Sequence, residues 1–249
     1  MPFATSPDGV QIHYEVAGAG PPLTLLHGNG GSGATWRERG LVDMLAPHFQ
    51  LILVDARGFG LSDKPTDAAD YTFPKRAADV VAVLDAEGIG KTHLYGYSMG
   101  AMATICVLRY SPDRLRSVVI GGHSPNGAAD SVSLARDWDT AWEALKTRPH
   151  ADREAWGACF SVSKTFPGGV DVLEQTDLPV LFFVGEEDKA AFQAQREFVA
   201  RTGQPFFSIP GANHGAAGQA VQVYGPRLID FINGVESGAA TVLTPTSNS

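Results

Sequence analysis

The pentapeptide Gly96-Tyr97-Ser98-Met99-Gly100 reads G-x-S-x-G. It stands between a short strand-like run, residues 92–95, and an apolar helix-like stretch, residues 101–110. A serine on a sharp turn from strand to helix is held in a strained backbone geometry. Small residues two before and two after it let the chain turn without side-chain collisions. The hydroxyl is thereby pushed into a cleft beside the positive end of a helix. That is a nucleophile's position, and it directs the search for partner residues to the same edge of the sheet.

The rest of the chain supports such a sheet. Strand-like runs at 10–16, 23–26, 49–54, 92–95, 115–120, 180–184 and 206–209 alternate with helical patterns at 35–45, 75–87, 101–110, 190–201 and 220–232. Fully apolar strands separated by helices imply a mostly parallel sheet covered on both faces. The alternating run at 10–16 has the pattern of an antiparallel edge. The class is α/β, with about eight strands expected.

The alternation breaks between Gly121 and Leu178. This stretch holds three of the four tryptophans, Trp138, Trp142 and Trp156, with an amphipathic helix expected over 131–146 and a shorter one over 152–159. It reads as a short helical lid. The expected organisation is one discontinuous core domain, 1–121 and 178–233, a lid at 122–177 and a small, polar, mobile tail at 234–249.

Of the 249 residues, 44% are hydrophobic and 18% charged, with a net charge of −8. That balance suits one globular core and argues against nucleic acid or an anionic membrane as the main partner. No apolar run approaches the roughly 18 residues needed to span a bilayer. The N-terminal residues carry neither a basic nor an apolar leader segment, and the two cysteines, Cys106 and Cys159, form no disulfide framework. A cytoplasmic setting is the expectation.

A serine hydroxyl needs a base to take its proton as it attacks, and histidine suits because its pKa lies near neutrality. The base needs an acceptor to hold its tautomer. Asp188 follows the strand at 180–184, and His214 follows the strand at 206–209. The interval between them leaves room for one helix and one strand, so both fall on the edge that carries Ser98. The order Ser98, Asp188, His214 is one known to form a triad. The oxyanion formed on attack needs backbone N–H donors. Met99, directly after the serine, is one. Asn29, in the loop His27-Gly28-Asn29-Gly30-Gly31, is the other.

On these pieces, together with Asp55-Ala56-Arg57-Gly58-Phe59-Gly60-Leu61-Ser62, the chain resembles α/β-hydrolase fold enzymes over roughly residues 3 to 233. The resemblance implies Ser98, Asp188 and His214 as catalytic residues, backbone N–H groups of Asn29 and Met99 at the oxyanion, and a mainly structural role for Asp55 and Arg57. Relatives with an aspartate nucleophile, such as haloalkane dehalogenases and epoxide hydrolases, place Asp where this chain has Ser98. The Ser-Met-Gly turn is similar to small esterases, thioesterase-like acyl hydrolases, perhydrolases and carbon–carbon bond hydrolases. The expected activity is hydrolysis of a small carboxylic ester, lactone or related acyl compound, without metal or cofactor. Cleavage of a carbon–carbon bond, perhydrolysis or lyase chemistry by the same triad stays open, as does ligand binding without turnover. The substrate-pocket candidates are Trp138, Trp142, Trp156 and His123. His27 and His93 are read as structural.

One competing pattern needs weighing. Gly28-Asn29-Gly30-Gly31-Ser32-Gly33 is a G-x-G-x-x-G after a strand, and Asp55 ends the next strand. Those are the features of a dinucleotide site. That reading leaves Ser98, Asp188 and His214 unexplained, whereas an oxyanion loop explains the glycines as well.

Overall fold

The computed structural model of the protein describes residues 2–131 and 134–239. The apolar runs form eight strands: β1 (Phe3–Thr5), β2 (Gln11–Ala17), β3 (Pro22–Leu26), β4 (Gln50–Val54), β5 (Thr92–Tyr97), β6 (Leu115–Gly121), β7 (Val180–Gly185) and β8 (Phe206–Ile209). They make one sheet in the order β1-β2-β4-β3-β5-β6-β7-β8. The β1/β2 and β2/β4 pairs are antiparallel and all the others parallel. β5 and β7 are buried at every position, as a sheet covered on both faces requires. β1 escapes the sequence reading because three residues show no period.

The helices are α1 (Ala34–Glu38), α2 (Leu41–Leu45), α3 (Phe73–Ala86), α4 (Met99–Tyr110), α5 (Trp138–Leu145), α6 (Arg153–Ser163), α7 (Val170–Gln175), α8 (Lys189–Thr202), α9 (His214–Gln219) and α10 (Val221–Glu236). Side chains alternate across the sheet into two apolar layers. Val118, Ile120, Val180 and Phe182 join Val80, Val83 and Leu84 of α3 and Ile105 and Leu108 of α4. Val119, Leu181 and Phe183 join Trp36, Leu41 and Leu45 on one side and Tyr224, Leu228 and Phe231 of α10 on the other.

Several boundaries differ from expectation. The helix expected over 35–45 is two short ones, because Gly40 adopts a left-handed conformation (φ 75°) between them. The helix expected over 131–146 begins only at Trp138, where the Asp137 side chain caps it by accepting from the Thr140 N–H at 2.8 Å. Residues 132 and 133 of that stretch lie outside the described residues. α10 runs to Glu236, so the tail expected from 234 gives up its first residues to a helix, and 240–249 lie outside the described residues. Between β6 and β7 the chain forms α5, α6, α7 and a short 3₁₀ turn, Gly127–Asp130.

Two buried polar clusters tie the loops above β3 and β4 to the sheet. Asp55, at the end of β4, accepts from the Gly33 N–H (2.6 Å), the Leu61 N–H (2.8 Å) and His13 Nδ1 (2.9 Å). The Arg57 guanidinium, 1% exposed, donates to both oxygens of Asp79 at 2.6 Å and to Asp8 at 2.9 Å. Both residues thus hold loops, as the resemblance implied. Removing one partner of a buried ion pair leaves the other charge desolvated without compensation. Asp79→Asn is therefore expected to lower stability by about 3 kcal/mol. The readout is a lower denaturant midpoint at an unchanged slope; an unchanged midpoint would mean the pair contributes nothing.

Candidate active site

Sheet topology places the serine. β3 and β5 are neighbours, with Leu26 beside Gly96, and β4 lies on the far side of β3. The chain thus reverses its direction of travel across the sheet between β3 and β5. The loops after those two strands flank the crevice where such sheets bind ligands. One of them carries 27–33 and the other carries Ser98.

Ser98 has φ 57° and ψ −114°, a conformation that non-glycine residues rarely adopt. Its N–H is held by the Gly121 carbonyl at 2.8 Å. The flanking glycines are required sterically. A Cβ on Gly96 would collide with the Gly100 carbonyl, and one on Gly100 with that of Leu26. Backbone strain of this kind persists only where surrounding structure enforces it, and it clusters at functional sites.

His214 starts α9, whose cap Asn213 accepts from the Ala216 N–H at 2.9 Å. Asp188 stands directly before α8. His214 Nδ1 lies 2.6 Å from Asp188 Oδ2, and its Nε2 lies 2.9 Å from Ser98 Oγ. A carboxylate only accepts, so Nδ1 carries the proton and Nε2 is free to accept from the serine hydroxyl. Tyr97 fixes the loop beneath by donating to the His214 carbonyl at 2.6 Å. The neighbouring acids are occupied elsewhere: Glu186 accepts from Ser208 at 2.8 Å, and Glu187 faces Lys189. The Asp188 side chain is 12% exposed and that of His214 42%.

Asn29 and Met99 line one narrow pocket with Ser98, together with Met102, His123, Leu134 and Phe160. Neither the Asn29 nor the Met99 N–H meets an acceptor among the described residues. A second, wider pocket adjoins the first at Ser98 and is lined by His123, Asp130, Arg136, Asp188 and His214. His123 is buried between the two, and its Nε2 has no hydrogen-bond partner. Burial, with His214 as a lesser cause, holds its pKa down to about 4, so the ring is neutral.

The tryptophans are a correction. Trp138, Trp142 and Trp156 line neither pocket at Ser98. Trp156 is fully buried, stacks on Phe59 at 5.0 Å and donates to the Gly58 carbonyl at 2.7 Å. Trp142 packs edge-on against Trp156, and Trp138 packs on Trp142 and Phe160. They join α5 and α6 to the loop after β4. The indole N–H of Trp156 needed a buried acceptor and found one away from the cleft. Phe160 lines the pocket instead, from the same helix as Trp156. An alternating apolar helix does not reveal in sequence which ring faces which side.

His27 and His93 are structural. His27 Nε2 accepts from the Ala56 N–H at 3.1 Å, so Nδ1 carries the proton that bonds the Gly28 carbonyl at 2.8 Å. His93 is bound to Ser117 at 2.7 Å and Glu236 at 3.2 Å, at the opposite end of β5 from Ser98. The dinucleotide pattern also finds its explanation. Asp55, which would hold a ribose, is 3% exposed and already bonded to Gly33, Leu61 and His13. Among the described residues no cluster of three His, Cys, Asp or Glu could hold a metal ion, and no helix is long and apolar enough to cross a membrane.

Comparison with known proteins agrees with this architecture. The sequence profile of the alpha/beta hydrolase fold matches residues 21–164. A putative carbamate hydrolase of Azorhizobium caulinodans is 34% identical over 120 residues, 48% of this chain and 43% of that one. A pimeloyl-[acyl-carrier protein] methyl ester esterase of Aeromonas salmonicida is 37% identical over 116 residues, 47% of this chain and 43% of that one. The matched region thus spans less than half the length of these relatives. Among solved structures, a thermophilic esterase of Thermogutta terrifontis superposes with a TM-score of 0.76 at 21% identity, over 94% of this chain and 98% of that one. The enol-lactonase of Burkholderia xenovorans LB400 superposes with a TM-score of 0.78 at 19% identity, over 93% and 100%. Sheet order and profile match agree, and the chain belongs to the alpha/beta hydrolase fold family.

Proposed function

We propose that the protein is a serine hydrolase that cleaves a carboxylic ester or lactone through an acyl-enzyme. The observation that carries this reading is the unbroken chain Asp188–His214–Ser98, with links of 2.6 and 2.9 Å, at a strained strand-to-helix turn. His214 Nε2 takes the Ser98 proton as Oγ attacks the carbonyl carbon, and Asp188 holds the imidazole and stabilises its cation. The N–H groups of Asn29 and Met99 hold the oxyanion; each such donor contributes about 10²–10³ in rate. His214 then protonates the leaving oxygen. Water repeats the sequence and frees the acid.

Relatives named as esterases, a carbamate hydrolase and an enol-lactonase support acyl chemistry on this fold.

A fluorophosphonate is expected to modify Ser98, located by peptide mass spectrometry. Ser98→Ala should lose both the adduct and short-chain p-nitrophenyl ester turnover. Asp188→Asn should keep the fold and reduce kcat about 10⁴-fold. An adduct elsewhere, or undiminished turnover by Ser98→Ala, would overturn the reading. A separate comparison tests which rings meet substrate. Phe160→Ala is expected to raise KM for a short-chain ester about tenfold, as for loss of a snug apolar contact. Trp142→Ala should leave KM within about twofold while lowering the thermal midpoint.

A further inference from the structure

The two pockets at Ser98 differ in chemistry. The one with the N–H groups of Asn29 and Met99 has Met102, Leu134 and Phe160 beside Ser163, and no charged side chain. The one with His214 and Asp188 also receives Arg136 and Asp130. Its two carboxylates are engaged. Asp188 faces His214, and Asp130 accepts from Ser124 Oγ at 2.6 Å and Asn126 Nδ2 at 2.8 Å through one oxygen. The Arg136 guanidinium has no carboxylate or carbonyl partner among the described residues; only its backbone carbonyl is bound, by Lys164. Between the two pockets lies the neutral His123 ring, 6% exposed.

The chemistry of the triad assigns the two sides. The group that leaves must sit where His214 Nε2 can protonate it, and that is the pocket holding Arg136. The acyl remainder turns to the side of the oxyanion donors and the apolar residues. On the hydrolase reading above, on which this inference rests, we infer that the substrate carries a carboxylate on its alcohol half. It is an acyl ester of a small hydroxy acid, the carboxylate paired with Arg136. Ser98 Oγ bonds to the acyl carbon as the acyl C–O bond breaks. The serine proton passes through His214 to the departing oxygen, and the hydroxy acid leaves with its carboxylate. Water then cleaves the acyl-serine, so that ester and water give a carboxylic acid and a hydroxy acid.

The test compares kcat/KM for 3-butyryloxypropanoate with that for its neutral carboxamide, and for methyl hydrogen glutarate, whose carboxylate is on the acyl half. The acyloxy acid is expected to exceed both by tenfold or more, about the contribution of one charge-assisted hydrogen bond. Arg136→Gln should bring the acid-to-carboxamide ratio to about one. Arg153→Gln, which loses an exposed pair with Asp139 and a contact with the Trp142 ring, both outside the pocket, should keep the ratio of the unaltered protein. A ratio near one in the unaltered protein, or preference for methyl hydrogen glutarate, overturns the inference. So does an Arg136→Gln ratio that stays high. Fluorophosphonate labelling of Ser98 in the same preparation separates the cases. Labelling with the wrong preference defeats this inference alone, and no labelling together with no ester turnover defeats the hydrolase reading beneath it.

Discussion

At Gly100 the first turn of α4 lies directly against the carbonyls of Leu26 and His27, with no space for a side chain between them. Gly96, near the end of β5, repeats the situation against the Gly100 carbonyl. These two backbone-to-backbone approaches set the distance between the ends of β3 and β5. They press Ser98 into its positive-φ conformation and bring the loop at 27–33 alongside it. A Cβ on Gly28 would sit 3.5 Å from Cβ of Ser98. Everything aimed at a reacting atom in this cleft depends on that separation, because orientation errors of about an ångström weigh heavily on rate.

Buried charge then fixes what glycine leaves free. The loop at 27–33 has glycines that would otherwise let it wander, and its last one, Gly33, is bound to Asp55. The same carboxylate holds Leu61 and His13. One side chain therefore joins the loop after β3, the loop after β4 and the antiparallel edge strand. Arg57 does the equivalent for α3 and the N-terminal turn through Asp79 and Asp8. Desolvated groups of this kind are confined to the geometry that satisfies them.

The sheet was readable because buried parallel strands are continuous apolar runs and their helices are periodic. The positions of Ser98, Asp188 and His214 at strand ends were readable for the same reason. Their hydrogen-bond chain, with no intervening side chain, could come only from the fold. The region between β6 and β7 was the least legible. Trp138, Trp142 and Trp156 announced burial but not direction; Trp156 turned toward the Gly58 carbonyl, which no local pattern could signal. Arg136 and Asp130, both before α5, gave no motif. They meet His214 only because the chain doubles back over the cleft. Short elements such as β1, α7 and α9 escaped because fewer than seven residues do not establish a period.

The attachment of α6 divides the wall over the cleft into unequal parts. Trp156 is bound to the Gly58 carbonyl, and buried Arg76 of α3 reaches the Cys159 carbonyl and Ser163 Oγ, each at 3.1 Å. α5 buries only Ala141 fully and leans on α6 through Trp138 and Trp142. Local opening follows the weaker attachments. α6 therefore behaves as a fixed wall that carries Phe160, while α5 and residues 134–137, with Arg136, form the yielding side. The door through which a ligand exchanges and the group that greets its charge would then be the same piece of chain.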